Sequence, residues 1–319
     1  MKLTRLLHVA DLHGSEMCFR KVVKCVELYK PDVITVCGDL TGKGIVPIVQ
    51  QSDGTFKSNF YDKAYELRSK EEVTKLVDKI RMNGWYEWHC TPSEMEDFRA
   101  SEEMQARVFK QLIPETMKRW VSFAAEALGG RKVRLFMLPG NDDDFVIDEP
   151  LNVTGCENIV NPEGKVVMID DEHEMISTGF TNITPWHAER DIPEDELARK
   201  IEDMASKVKN MKSAIFNFHC PPYGTMLDAA PKVDEKLRPV MSGGGVVIAP
   251  AGSTAVRAAI EKYQPLLGLH GHIHESRGLE KIGRTLCINP GSEYGEGILH
   301  GCIVNLGKDD IKSYLFTCG

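Results

Sequence analysis

The sequence contains no Cys-x-x-Cys pair, no uninterrupted apolar stretch of about 18 residues and no basic surplus. Each absence excludes a class of protein. Nine cysteines, an odd number, stand singly between Cys18 and Cys318, which argues against a disulfide framework or a zinc ribbon. Buried thiols in a reducing cytosol are the better expectation. Residues 1–14 carry only Leu6 and Leu7 as an apolar pair before Asp11 and His13, which fits neither a signal peptide nor a membrane anchor. A net charge of −8 opposes a broad nucleic-acid-binding face. No Lys-Ser/Thr follows Gly243, Gly244 and Gly245, so that run is a flexible connection and not a phosphate-cradling loop. Gly140-Asn141-Asp142 lacks the glycine spacing of a dinucleotide fold.

What is present is ordinary for a globular chain of 319 residues: 42% hydrophobic and 27% charged. Five short apolar runs end abruptly in polar residues. The run at 6–10 leads to Asp11 and His13, that at 33–37 to Gly38 and Asp39, and that at 135–138 to Gly140, Asn141 and Asp142. The runs at 215–218 and 266–269 end at His219 and at His270, His272 and His274. Their length and Gly or Pro boundaries predict buried strands. Helical spacing predicts helices over 16–29 and over 253–263, the latter with Ser253 as N-cap. Charges alternate over 194–211 as on a solvated helix. Strands alternating with helices give an α/β layered fold, with polar residues gathered beyond the carboxyl ends of the strands.

Two regions depart from this rhythm. Residues 43–130 show no strand-like run after Val49 and contain helix-forming stretches at 70–82 and 93–128. A long structureless loop is improbable, so a helical insertion or cap is expected within a single domain spanning 1–319. Its aromatics Trp85, Tyr86 and Trp88, with His89, are read as helix-packing residues, with a lid over a nucleobase as the alternative. The last 40 residues carry short strand-like runs joined by Gly-rich turns, read as an antiparallel continuation of a sheet.

Asp11, His13, Asp39, Asn141, His219, His272 and His274 together offer carboxylate, imidazole and amide donors suited to manganese, iron or zinc. Asp11 and His13 are two residues apart, as are His272 and His274, which on an extended chain places each pair on one side. Each piece alone is weak, because a lone buried His is usually a hydrogen-bonded core residue. The order of five pieces, each after an apolar run, carries the weight. Asp11-Leu-His13, Gly38-Asp39, Gly140-Asn141, His219 and Gly271-His272-Ile-His274 resemble the signature of the calcineurin-like metallophosphoesterases. Asn289-Pro290-Gly291-Ser292 matches a turn often found after the last pair.

The resemblance implies a two-sheet αβ sandwich with helices outside and two divalent metal ions, manganese foremost, with iron, zinc or nickel as alternatives. It implies that Asp11, His13, Asp39 and His274 hold one ion. Asp39, Asn141, His219 and His272 would hold the other, with Asp39 bridging. Two such ions lower the pKa of a shared water, which attacks phosphorus in line.

One position departs from the pattern. The family places a His after the Asn, where it protonates the leaving oxygen; this sequence has Asp142. General acid catalysis is worth about 10²–10⁴-fold. Asp142 can act protonated or through water, His187 of Thr184-Pro185-Trp186-His187 can substitute from another loop, or the leaving group needs little protonation. The expected function is a cytoplasmic phosphodiesterase acting on small or nucleotide-like esters, without membrane or long nucleic acid as partner. A phosphomonoesterase or phosphoprotein phosphatase is the alternative, and a metal-binding scaffold with decayed catalysis is the third.

Overall fold

Alternation of side chains along the strands decides the layering. In the computed structural model, which describes residues 3–152 and 155–319, strand β1 (Thr4–Val9) sends Leu6 to one side and Leu7 to the other. Helix α1 (Glu16–Leu28) leads to β2 (Val33–Cys37). An excursion follows through β3 (Ile45–Gln50), β4 (Phe56–Phe60), β5 (Lys63–Leu67), α2 (Lys70–Met82), β6 (Tyr86–Cys90), α3 (Pro92–Ala100) and α4 (Glu102–Leu128). The chain returns through β7 (Arg134–Leu138), α5 (Asp148–Asn152) and β8 (Ile159–Val160). It continues through β9 (Val166–Met168), β10 (Glu174–Thr178), β11 (Thr181–Asn182), β12 (Asp191–Ile192), α6 (Glu194–Ala205) and β13 (Ile215–Phe218). Short pairings β14 (Ala229–Pro231), β15 (Met241–Ser242), β16 (Gly245–Val246) and β17 (Ile248–Pro250) form a projecting arm before α7 (Thr254–Tyr263). The last strands are β18 (Leu267–Leu269), β19 (Gly278–Ile282), β20 (Thr285–Asn289), β21 (His300–Leu306) and β22 (Ile311–Cys318).

Two six-stranded sheets result, ordered β22-β21-β1-β2-β7-β8 and β19-β20-β18-β13-β10-β9. They pack face to face. Leu6, Val33, Phe136 and Val304 of the first meet Met175, Ile215, Leu267 and Ile288 of the second in one buried cluster. The opposite faces take the helices: Leu7, Ile34 and Met137 pack on Phe19 of α1 and Trp120 of α4, with Phe19 and Trp120 stacked at 4.2 Å. Ile176 and Phe216 pack on Ile201 of α6 and Val256 of α7. This is the expected two-sheet αβ sandwich with helices outside.

The helices form where their caps predict. Helix α2 begins after Ser69 with a reciprocal capping box to Glu72, and α7 begins after Ser253, whose hydroxyl accepts from Val256 N. Helix α6 differs from the solvated helix expected over 194–211. It ends at Ala205 and buries Leu197, Ile201 and Met204 against the sheet.

The excursion corrects the sequence expectation in part. The helix-forming stretches at 70–82 and 93–128 are helical, the second divided into α3 and α4, and a four-stranded sheet ordered β5-β4-β3-β6 accompanies them. Tyr86 and Trp88 are buried strand residues of β6 that pack on the helices as expected, Tyr86 against Phe109 of α4 and Trp88 against Phe98 of α3. The C-terminal runs also divide differently: β20 joins the second sheet parallel to β18, while the β21–β22 hairpin extends the first beside β1. Gly243 and Gly244, read as a flexible connection, form the positive-φ turn of the β15–β16 hairpin.

Candidate metal centre

The candidate residues emerge where β1, β2, β7, β13 and β18 end, on the same edge of both sheets. They do not lie on extended backbone as the two-residue spacing suggested. Asp11 (φ 54°), His13 (φ 40°), Asp39 (φ 51°) and His272 (φ 69°) adopt the left-handed conformation, unusual for residues with a Cβ. Strain of this kind persists only where the surroundings over-determine it, and it gathers at functional sites. Of the neighbouring glycines, Gly14 and Gly38 share the positive φ, whereas Gly140 and Gly271 are required by close approach of the carboxylates of Asp39 and Asp11.

The side chains form two clusters with one member in common. Donor atoms of Asp11, His13, Asp39 and His274 lie within 4.8 Å of one another, and so do those of Asp39, His219 and His272. His13 Nε2 stands 3.0 Å from His274 Nε2 and 3.6 Å from Asp39 Oδ2. At a metal–nitrogen bond of about 2.1 Å, two ligands of one ion stand about 3 Å apart. On the other side of Asp39, His219 Nε2 lies 3.4 Å from Oδ2. The His219 Nδ1–H donates to Cys37 O at 2.8 Å, which turns Nε2 inward toward Asp39. Asn141 lines the same cleft, and Asp142 N donates to Asp39 Oδ1 at 3.1 Å.

The donor set fits divalent cations. His219 Nε2 and Asn141 Oδ1 are buried without a hydrogen-bond partner, an arrangement costing about 1–3 kcal/mol per group unless a ligand satisfies it. Burial pushes the His13 imidazole down to about 3. Burial and the nearby His219 bring His272 to about 4, so both are neutral donors. Burial opposes charge on His219 and His274, but the carboxylates of Asp39 and Asp11 hold both above the usual imidazole range. Burial likewise opposes ionisation of Asp39, and His219 overcomes it, keeping that carboxyl far below its ordinary value.

Four further residues position these donors, and sequence reasoning missed two of them, Asp143 and Asp191. Asp143, fully buried, accepts from Leu40 N, Thr41 N, Thr41 Oγ1 and Gly140 N at 2.6–3.0 Å, joining the loops after β2 and β7. Asp191 accepts from Asn141 Nδ2 at 3.1 Å and from Thr184 N and Oγ1, which leaves Asn141 Oδ1 free. Asn289 donates to Gly271 O and Ile273 O, gripping the Gly271–His274 loop, while Ser292 Oγ donates to Asp11 O. Asn289 and Ser292 belong to the turn quoted from the sequence; Asp143 sat in plain view in the acidic run after Asn141.

The clusters open into a cleft of about 1000 Å³. Asp142 lines it, with Lys43 Nζ 2.5 Å from its Oδ2. Ile183 and Trp186, both exposed, and Pro231, Val233 and Pro250 of the arm form an apolar wall. His187 is exposed on the loop beside Trp186, its N–H donating to Thr184 O, and it is not among the cleft-lining residues. The structure therefore does not bring His187 to the cluster as a substitute acid. Trp85, partly exposed, packs on Phe60 and Tyr61 of the insertion and is no lid over the donors.

A two-sheet sandwich with paired carboxylate–imidazole clusters at its strand ends defines a metallophosphoesterase type of architecture. The calcineurin-like phosphoesterase family model matches residues 4–276, and the chain belongs to that family. An uncharacterized protein of Methanocaldococcus jannaschii is 29% identical over 160 residues, covering 50% of this chain and 64% of its own length. The crystal structure of TT1561 of Thermus thermophilus superposes with a TM-score of 0.56 at 14% identity, over 100% of this chain and 99% of that one. A further crystal structure gives a TM-score of 0.60 at 17% identity over 98% of both chains. At these identities the likeness is one of fold.

Among the described residues, no helix is long and apolar enough to cross a membrane.

Proposed function

We propose that this chain is a divalent-metal-dependent phosphoester hydrolase acting on small phosphodiesters or nucleotide-like esters. The carrying observation is Asp39, whose carboxylate belongs to both donor clusters at the floor of the cleft. Asp11, His13, Asp39 and His274 would hold one cation, and Asp39, Asn141, His219 and His272 the other, manganese being the metal we favour. Such a pair supplies acidification of a water and neutralisation of phosphate charge. The protein's own part is to fix the donors: Asp143 ties the loops, Asp191 orients the Asn141 amide, and Asn289 holds the histidine loop.

The cleft supports a small ester. Its volume falls within the range of about 300–1,000 Å³ usual for small-molecule sites, and its apolar wall suits a planar leaving group. Its charged lining includes Asp142, Asp144, Glu189 and Glu275 against Lys43 and Lys232. That balance opposes a dianionic monoester more than a monoanionic diester. The net charge of −8 argues against long nucleic acids as substrates. Free thiols at Cys18, Cys25, Cys37 and Cys90 support a cytoplasmic setting.

Manganese-loaded protein assayed on aryl phosphodiesters and aryl phosphomonoesters tests this assignment. Faster turnover of the diester is expected. A strong monoester preference would replace it with a phosphomonoesterase, and two bound ions without turnover of either would leave a metal-binding scaffold.

A further inference from the structure

The cleft floor is rich in carboxylates, yet an anionic ester must approach it. Lys43 is the cation placed to receive it. Its ammonium is 2.5 Å from Asp142 Oδ2, and both residues line the cleft beside Asp39 and Asn141. The other cleft-lining lysine, Lys232, sits on the arm.

The backbone that carries Lys43 is fixed by the insertion. Gly42 N donates to the Tyr86 hydroxyl at 2.8 Å, and Thr41 is tied to Asp143. A Cβ on Gly42 would lie 2.2 Å from Gly84 O, and one on Gly44 would lie 2.1 Å from the Trp85 ring. Lys43 is therefore flanked by two residues pressed against the insertion. A long, flexible side chain leaves a rigid base, and Asp142 restrains its far end. An ammonium offers three N–H donors, and one toward Asp142 leaves the others for a ligand in the cleft.

We propose that Lys43 is a catalytic residue that binds a non-bridging oxygen of the substrate phosphate, and that Asp142 is the positioning residue that aims it. This rests on the phosphoester reading of the same cleft. No proton transfer is involved; the ammonium stays charged and offsets the negative charge of the bound phosphate. The insertion then has a role in the site, since Tyr86 at the start of β6, with Gly84 and Trp85 just before it, braces the segment that carries Lys43.

The test uses the manganese-loaded full chain and orthophosphate as the probe, with affinity from titration calorimetry and ion content from elemental analysis. Lys43→Met is expected to bind orthophosphate about 10–100-fold more weakly, the scale of one charge-assisted hydrogen bond, with ion content unchanged. Lys43→Arg is expected to recover most of that loss, and Asp142→Asn to lose a smaller factor. With the diester substrate, Lys43→Met should raise KM more than it lowers kcat. The double variant Lys43→Met/Asp142→Asn separates a direct contact from mere exposure of a carboxylate: it should stay weak. Affinity within about 2-fold of wild type in Lys43→Met, or its return in the double variant, overturns the proposal while the phosphoester reading stands. Wild-type protein that takes up no ions overturns both.

Discussion

Gly140 and Asp39 approach so closely that a Cβ on Gly140 would lie 2.1 Å from Asp39 Oδ1 and 2.2 Å from Asp39 N. The backbone after β7 thus occupies the space beside the carboxylate shared by both clusters, which explains why a glycine precedes Asn141. Gly140→Ala is expected to displace Asp39 and to lower activity by about 10²-fold or more, the scale of losing preorganised electrostatic stabilisation. Gly245→Ala, which meets open space, is the control and should change nothing. Equal activity in the two variants, measured on the diester, would contradict the role given to this contact.

Asp143 supplies a second prediction. Asp143→Ala leaves Leu40 N, Thr41 N, Thr41 Oγ1 and Gly140 N without their acceptor in a buried place. The expected loss is about 3–5 kcal/mol of stability, together with weaker ion retention. Denaturant unfolding measures the first and elemental analysis the second. Burial, followed by the Asp39 charge, pushes the Asp143 carboxyl up to about 6.

A third prediction concerns pH, at a site far from the metal centre. His173 Nδ1 faces Asp170 Oδ2 at 2.7 Å and its Nε2 faces Gly307 O at 2.9 Å, so both ring nitrogens have acceptors and the imidazolium satisfies both. Burial opposes that charge, but Asp170 raises the His173 pKa above its ordinary value. Burial also opposes ionisation of Asp170, and hydrogen bonds from His173 and Thr4 hold its carboxyl well below the usual range. The contribution from His173 is complete below the ordinary imidazole value of about 6.5 and disappears as pH rises through its folded value. That from Asp170 is complete above about 3.9 and disappears as pH falls through its depressed value. Their common window is about pH 4–6.5. His173→Gln should lower Tm by about 2–4 °C more at pH 5.5 than at pH 9. A deficit independent of pH would show that the pair is not ionised.

Much of the site was legible because metal chemistry restricts residue types at strand ends. Asp11, Asp39 and His219 each follow a mostly apolar run, broken only by His8, Thr35 and Asn217 respectively, and those runs are buried strands. The geometry behind the spacing was not legible. Asp11, His13 and His272 converge through left-handed turns, and φ leaves no trace in a two-residue spacing. The insertion sheet was missed for a different reason. Tyr86-Glu-Trp-His-Cys90 alternates buried and more exposed positions with period two, the mark of a half-buried strand, but Glu87 and His89 interrupt it, so that it shows no apolar run. Strands β4 and β5 carry Lys57, Asn59 and Glu66 on exposed positions, and Ser58 among the buried ones, and so lack an apolar run. Lys43 was invisible as a cleft residue because its partner, Asp142, lies 99 positions away across the insertion.

The most direct measurement is the number of divalent ions per chain in manganese-reconstituted protein, wild type against Asp39→Ala. The account predicts two ions in the wild type. Because one carboxylate serves both clusters, it predicts loss of both from the variant, with activity on the diester falling by at least about 10²–10³-fold. Wild-type chains that hold no ions, or Asp39→Ala chains that keep both, would contradict it.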